Sequence, residues 1–149
     1  MEFFEAIQTF IIYVRPGNFK EVAGSKVNDE FFAYKEEGKT LHPEARWIIS
    51  DLNSGLALPD KESGVKGAVL RFATLKDCKD WAKNIPEELR HQIDEVKAKP
   101  EYLEQCQKLI DFKNGLEKTN ESFSFMEAFI ALTEVYEDIE EPITLDEIV

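Results

Sequence analysis

The sequence predicts an α+β domain: a small antiparallel β-sheet of three to four strands in the N-terminal half, packed against several α-helices in the C-terminal half. Three observations carry this. Up to about residue 73, apolar residues come in short β-branched and aromatic runs separated by Gly, Pro and Asn. From Thr74 onward they recur at helical spacing instead. Prolines at positions 86, 100 and 142 then punctuate the helical stretches.

The first strand is "TFIIYVR", Thr9 to Arg15, which stops at the turn dipeptide Pro16-Gly17. Residues 2–8 before it suit a short helix or the start of the same strand. "VAGSKV" reads as a loop; its Gly24-Ser25-Lys26 is reminiscent of a phosphate loop but lacks the G-x-x-x-x-G-K spacing. In "NDEFFAYKEEGKTL" the residues Phe31, Phe32 and Tyr34 fit neither period, and a short helix from Asn28 to Gly38 is the reading adopted. "RWIISDLNSGLALP" is a hairpin turning through Leu52, Asn53, Ser54 and Gly55. "DKESGVKG" is a loop, and "GAVLRFA", Gly67 to Ala73, a further strand.

Thr74 caps the first helix with Asp77 at its third position, and Leu75, Cys78, Trp81 and Ala82 form its apolar face. Pro86 opens the second, whose stripe is Leu89, Ile93 and Val96. Pro100 opens the third, with Tyr102, Leu103, Cys106, Leu109 and Ile110 on one face and Gly115 as a stop. In the last helix Ser124 and Glu127 make a capping-box pattern. Phe125, Phe129, Leu132, Tyr136 and Ile139 share one face, and Pro142 ends the helix. The following "PITLDEIV" is expected to dock as a short extended segment or, the commoner outcome at a terminus, to be disordered.

A chain of 149 residues, 43% of them apolar, suits one domain: residues 1–118 as the α+β core and 119–149 as an acidic helix and tail. The net charge of −12 is unevenly spread. Residues 1–118 hold 21 acids against 18 bases, whereas Thr119 to Val149 hold nine carboxylates and no Lys or Arg. Glu127, Glu134, Asp138 and Glu141 fall in one stripe at about 100° per residue, with Glu137 beside it and the aromatics opposite. Such a ladder is locally unfavourable. Like charges at Glu134–Asp138 and Asp138–Glu141 each cost about 0.2–0.5 kcal/mol. Acids at a helix C-terminus add about 0.3–1 kcal/mol each before screening. Local rules are broken most often where function requires it.

The expected function is therefore that of a non-catalytic acidic interaction protein, an inhibitor or adaptor. It presents Glu127, Glu134, Glu137, Asp138 and Glu141 to a basic protein partner. A nucleic-acid-binding protein fits that description, because spaced carboxylates can stand in for a phosphate row; direct nucleic-acid binding is not expected of so acidic a chain. Small accessory proteins of phages and mobile elements offer the analogy. The plain alternative is a solvated helix face, or one paired internally with the exposed-looking lysines Lys76, Lys79 and Lys83. A second functional reading is a small-molecule- or nucleotide-binding protein with a pocket between sheet and helices, using Arg15, Lys20 and Trp47. A third is an enzyme without a readable motif, for which His42 is the base to test.

No HExxH, CxxC or Ca²⁺-loop pattern calls for a metal, and no cofactor is expected. No run of eighteen apolar residues suggests a membrane span. Acids at the start in place of a basic secretory region, and only two cysteines, point to the cytoplasm.

Overall fold

The computed structural model describes residues 8–15, 17–37, 41–119 and 141–148. Strand β1, Gln8–Val14, is joined through Gly17 to β2, Asn18–Lys26, and the two pair antiparallel along their full register from Gln8↔Gly24 to Val14↔Asn18. Strand β3, Phe31–Lys35, β4, Trp47–Asp51, and the two-residue β5, Arg71–Phe72, follow in sheet order β1-β2-β3-β4-β5. The sheet thus has five antiparallel strands where three to four were expected: the segments read as a loop around Gly24-Ser25-Lys26 and as a helix from Asn28 are β2 and β3, while the second arm of the hairpin makes only isolated bridges.

The expected helix from Asn28 is replaced by β3, and the reason lies in two adjacent phenylalanines. Asn28 Oδ1 accepts from the backbone N–H of both Glu30 and Phe31 at 2.8 Å, closing a tight turn between β2 and β3. From there side chains alternate. Phe31, Ala33, Ile49, Leu56 and Leu58 enter the core cluster beneath the helices, whereas Phe32, Tyr34, Ile48, Ile12 and Val14 form a second cluster, with Phe32 stacked on Phe10 at 4.4 Å. Both Phe31 and Phe32 are fully buried, which no helix face would achieve for consecutive residues. A strand buried on both faces reads as a continuous apolar run, and that is why neither period fitted.

The predicted hairpin is present. Ser50 pairs with Ala57 across the turn, Leu58 N–H donates to Ile49 O, and Gly55 takes φ of 75°. The pairing then continues around a ring. Ala57 bridges Thr144 in parallel, and Pro142 bridges Val14 of β1. Residues 142–144 are therefore a docked extended segment linking β1 to the second arm of the hairpin at Ala57. Ile143 N–H donates to Tyr13 O, Ala57 N–H to Ile143 O and Leu145 N–H to Ala57 O, all within 2.9 Å. A 3₁₀ turn, Leu145–Glu147, follows, and Leu145 is buried.

Helix α1, Leu75–Lys83, packs on β3, β4 and β5, with Thr74 Oγ1 accepting from Asp77 N–H as the sequence indicated. Helix α2 is Glu87–Lys97, and α3 is Pro100–Thr119. Gly115 does not stop α3; its φ is not positive, and a Cβ built there would meet nothing. The buried stripe of α3 also differs from expectation. Tyr102, Gln105 and Leu109 are buried, whereas Leu103 and Ile110 are 64% and 48% exposed. A buried amide takes the place of an expected apolar contact, because Gln105 Nε2 donates to Ser54 O in the β4 turn.

Candidate functional site: an acidic segment between two anchors

Glu127, Glu134, Glu137 and Asp138, and the helix expected to carry them, lie outside the described residues. The flanks of that segment are described, and both are held. On the N-terminal side, α3 is fixed to the sheet by the Phe112 ring against Phe19 at 5.3 Å and by Tyr102 on Asp51, and its Leu109 is buried. On the C-terminal side, Glu141 is not helical, and its carbonyl accepts from Arg15 N–H at 2.9 Å. Pro142 follows it, and the residue before a proline is pushed out of the helical region.

Beyond Pro142 the tail carboxylates are used within the fold. Glu147 pairs with Arg15 and closes a capping box on Thr144, and Asp146 accepts from Lys61 Nζ at 3.4 Å and from the Thr144 hydroxyl. Two of the nine C-terminal acids thus pair with bases of the core.

Arg15, Lys20 and Trp47, the candidate pocket residues, are spread along the sheet. Arg15 follows β1 and serves the tail; Lys20 is exposed on β2 opposite Ile12. Trp47 lies on β4, with β3 between it and β2, packed against the helix-side core opposite Phe72. Lys76, Lys79 and Lys83 are exposed on α1 and make no ion pair among the described residues.

A polar network that the sequence did not reveal sets the start of α3. Asp51, fully buried at the end of β4, accepts from Ser54 N–H and Oγ at 3.1 and 2.6 Å, Tyr102 Oη at 2.7 Å and Lys97 Nζ at 2.9 Å. Lys97 also reaches Glu30, which takes a two-pronged contact from Arg90, and its ammonium stands 5.2 Å from the Phe31 ring centre. The Arg90 guanidinium, with Lys97 in support, holds the Glu30 carboxyl down at about 2 against the opposing effect of burial. Burial, and then the Asp51 charge, pushes the Tyr102 phenol up, so it remains a neutral donor. No spacing rule connects residues 30, 51, 90, 97 and 102. The only sequence signal was an acid directly before a turn.

Burial pushes the Cys78 thiol up to about 12 and raises Cys106 as well, which keeps both protonated and weak as nucleophiles at neutral pH. His91 is exposed, 3.8 Å from Glu95, and His42 lies exposed in the loop before β4. Among the described residues no group of three or more His, Cys, Asp or Glu could hold a metal ion, and no helix is long and apolar enough to cross a membrane. No protein-family model matches the chain, and no curated protein or solved structure matches it either.

Proposed function

We propose that the chain is a non-catalytic binding protein that offers the carboxylates Glu127, Glu134, Glu137, Asp138 and Glu141 to a basic surface on a partner protein. Its role is that of an inhibitor or adaptor, and the partner is a cytoplasmic protein whose own basic groove handles nucleic acid. The observation that carries this reading is the fate of the C-terminal acids. Those beyond Pro142 are paired with Arg15 and Lys61, whereas the segment between Thr119 and Pro142 contains seven acids and no base to offset them. The described flanks on both sides, α3 and the segment from Glu141 to Leu145, are held to the fold. The raised thiol pKa values of Cys78 and Cys106 favour binding over thiol chemistry.

A charge-matched comparison tests the reading in the full chain. One variant carries Glu127→Gln, Glu134→Gln, Glu137→Gln, Asp138→Asn and Glu141→Gln. The other removes five exposed acids of the core: Glu21→Gln, Glu44→Gln, Asp80→Asn, Glu101→Gln and Glu104→Gln. Both lose the same charge. A lysine-rich peptide should bind the second variant and the parent alike, lose the first, and dissociate from all at about 1 M salt, where the screening length is about 3 Å. Equal loss in the two variants would reduce the effect to net charge and end the proposal.

A further inference from the structure

A cleft of about 560 Å³ opens between the loop that includes the 3₁₀ turn Lys61–Ser63, the outer side of α2, and the tail. That volume is within the range of about 300–1,000 Å³ usual for small-ligand sites. Lys61, Lys66, Gln92, Glu95, Lys99 and Asp146 line it.

The lining is built from parts that hold one another. Asp60 caps the 3₁₀ turn by accepting from Glu62 N–H, and Gly64 and Gly67 adopt φ of 72° and 87° to bend the loop back. A Cβ at Gly67 would stand 2.7 Å from Glu147 Oε1, so the loop closes tightly on the tail. Lys61 and Asp146 pair across the join. These groups are occupied in shaping the cleft.

Two others are not. Lys99, exposed in the turn after α2, makes no side-chain hydrogen bond or ion pair among the described residues. Gln92 Oε1 is shut off from solvent and accepts no hydrogen bond among the described residues, although the residue lines the cleft. A buried unpartnered amide oxygen in a folded protein calls for an explanation. The last torsion of Gln is soft, so the amide can turn its oxygen into the cleft once a donor is present there. Asp60 and Asp146 already accept from the fold, and Glu95 is largely exposed beside His91.

We infer that this cleft binds a compact anion with an adjacent hydroxyl or amino group, its charge met by Lys99 and its donor by the turned Gln92 oxygen. Phosphorylated and carboxylated small metabolites share that chemistry. The cleft residues named here are not those of the acidic segment, so the two proposals are tested by different variants.

Calorimetric titration of the full chain with glycerol phosphate, glycerate and inorganic phosphate separates the sources, with melting temperature as a second readout. Saturable binding of glycerol phosphate or glycerate, stronger than that of inorganic phosphate, is expected. Lys99→Ala should weaken it about tenfold or more, a loss of about 1.4 kcal/mol. Gln92→Leu should keep or raise the melting temperature of the free protein, since it removes an unpartnered oxygen, and should abolish the preference over inorganic phosphate. No saturable binding of either hydroxylated anion would overturn the inference. So would unchanged affinity in Lys99→Ala, or a clear fall in melting temperature in Gln92→Leu, which would show that the amide oxygen is already satisfied by water.

Discussion

Lys97 Nζ stands 2.9 Å from Oδ1 of Asp51, a carboxylate with no exposed surface, and thereby ties the last turn of α2 to the end of β4. Tyr102 reaches the other Asp51 oxygen from the first turn of α3. One buried charge therefore sets the positions of two helices, and α3 leads into the acidic segment. Removing a partner from such a pair costs more than the pair contributes, because the survivor stays buried and uncompensated.

Asp51→Ala should destabilise the fold by about 3–5 kcal/mol, and Asp51→Asn by less, since the amide oxygen still accepts from Tyr102 or Ser54. Urea unfolding of both variants checks the order. Equal stability of Asp51→Ala and the parent would contradict the role assigned to Asp51.

Acid should loosen the same region. The folded Glu30 carboxyl titrates at about 2, below its usual 4.5, so its contribution is fully present above 4.5 and is lost as pH falls through about 2. Glu30→Gln should flatten the fall in melting temperature across that window. If the parent and variant curves run parallel from neutral pH to pH 2, the Arg90–Glu30 contact adds nothing to acid stability.

The docked tail depends on Leu145 more than on its ion pairs. Leu145→Ala should cost about 2–5 kcal/mol as a buried deletion. Glu147→Gln should change stability by about 1 kcal/mol or less, because half of the Arg15 side chain is in solvent. Amide exchange gives a local readout: Arg15 and Ala57, whose N–H groups donate to Glu141 and Ile143, should lose protection in Leu145→Ala.

Gly55 turns the hairpin with φ of 75°, and a Cβ there would come 3.0 Å from the Ile11 carbonyl oxygen. Gly55→Ala should therefore cost at least about 1–2 kcal/mol from backbone conformation alone. A melting temperature equal to the parent's would mean that the turn relaxes freely.

Much of the helical half was legible because its signals are local. Thr74 with Asp77, Pro86 and Pro100 act within one turn of themselves, and all three mark helix starts in the fold. The sheet was less legible where burial is two-sided. Phe31 and Phe32 look aperiodic in sequence because each fills a different core. Helix α3 misled for a related reason: its apolar residues outnumber its buried positions, so Leu103 and Ile110 face solvent while Gln105 goes inward to Ser54. The tail was the hardest to place. Its docking rests on backbone bonds to Tyr13 and Ala57, distant positions that leave no trace in "PITLDEIV". Of the candidate site, the charge asymmetry was plain, but the pairing of Asp146 and Glu147 with core bases was not.

The most direct measurement is an amide chemical-shift map of the full chain during titration with a lysine-rich peptide. Shifts concentrated in residues 127–141, with Asp146 and Glu147 unmoved because their carboxylates are already paired, are the expected result. Shifts centred on the core acids, or scattered evenly over the surface, would contradict the assignment of the acidic segment as the binding surface.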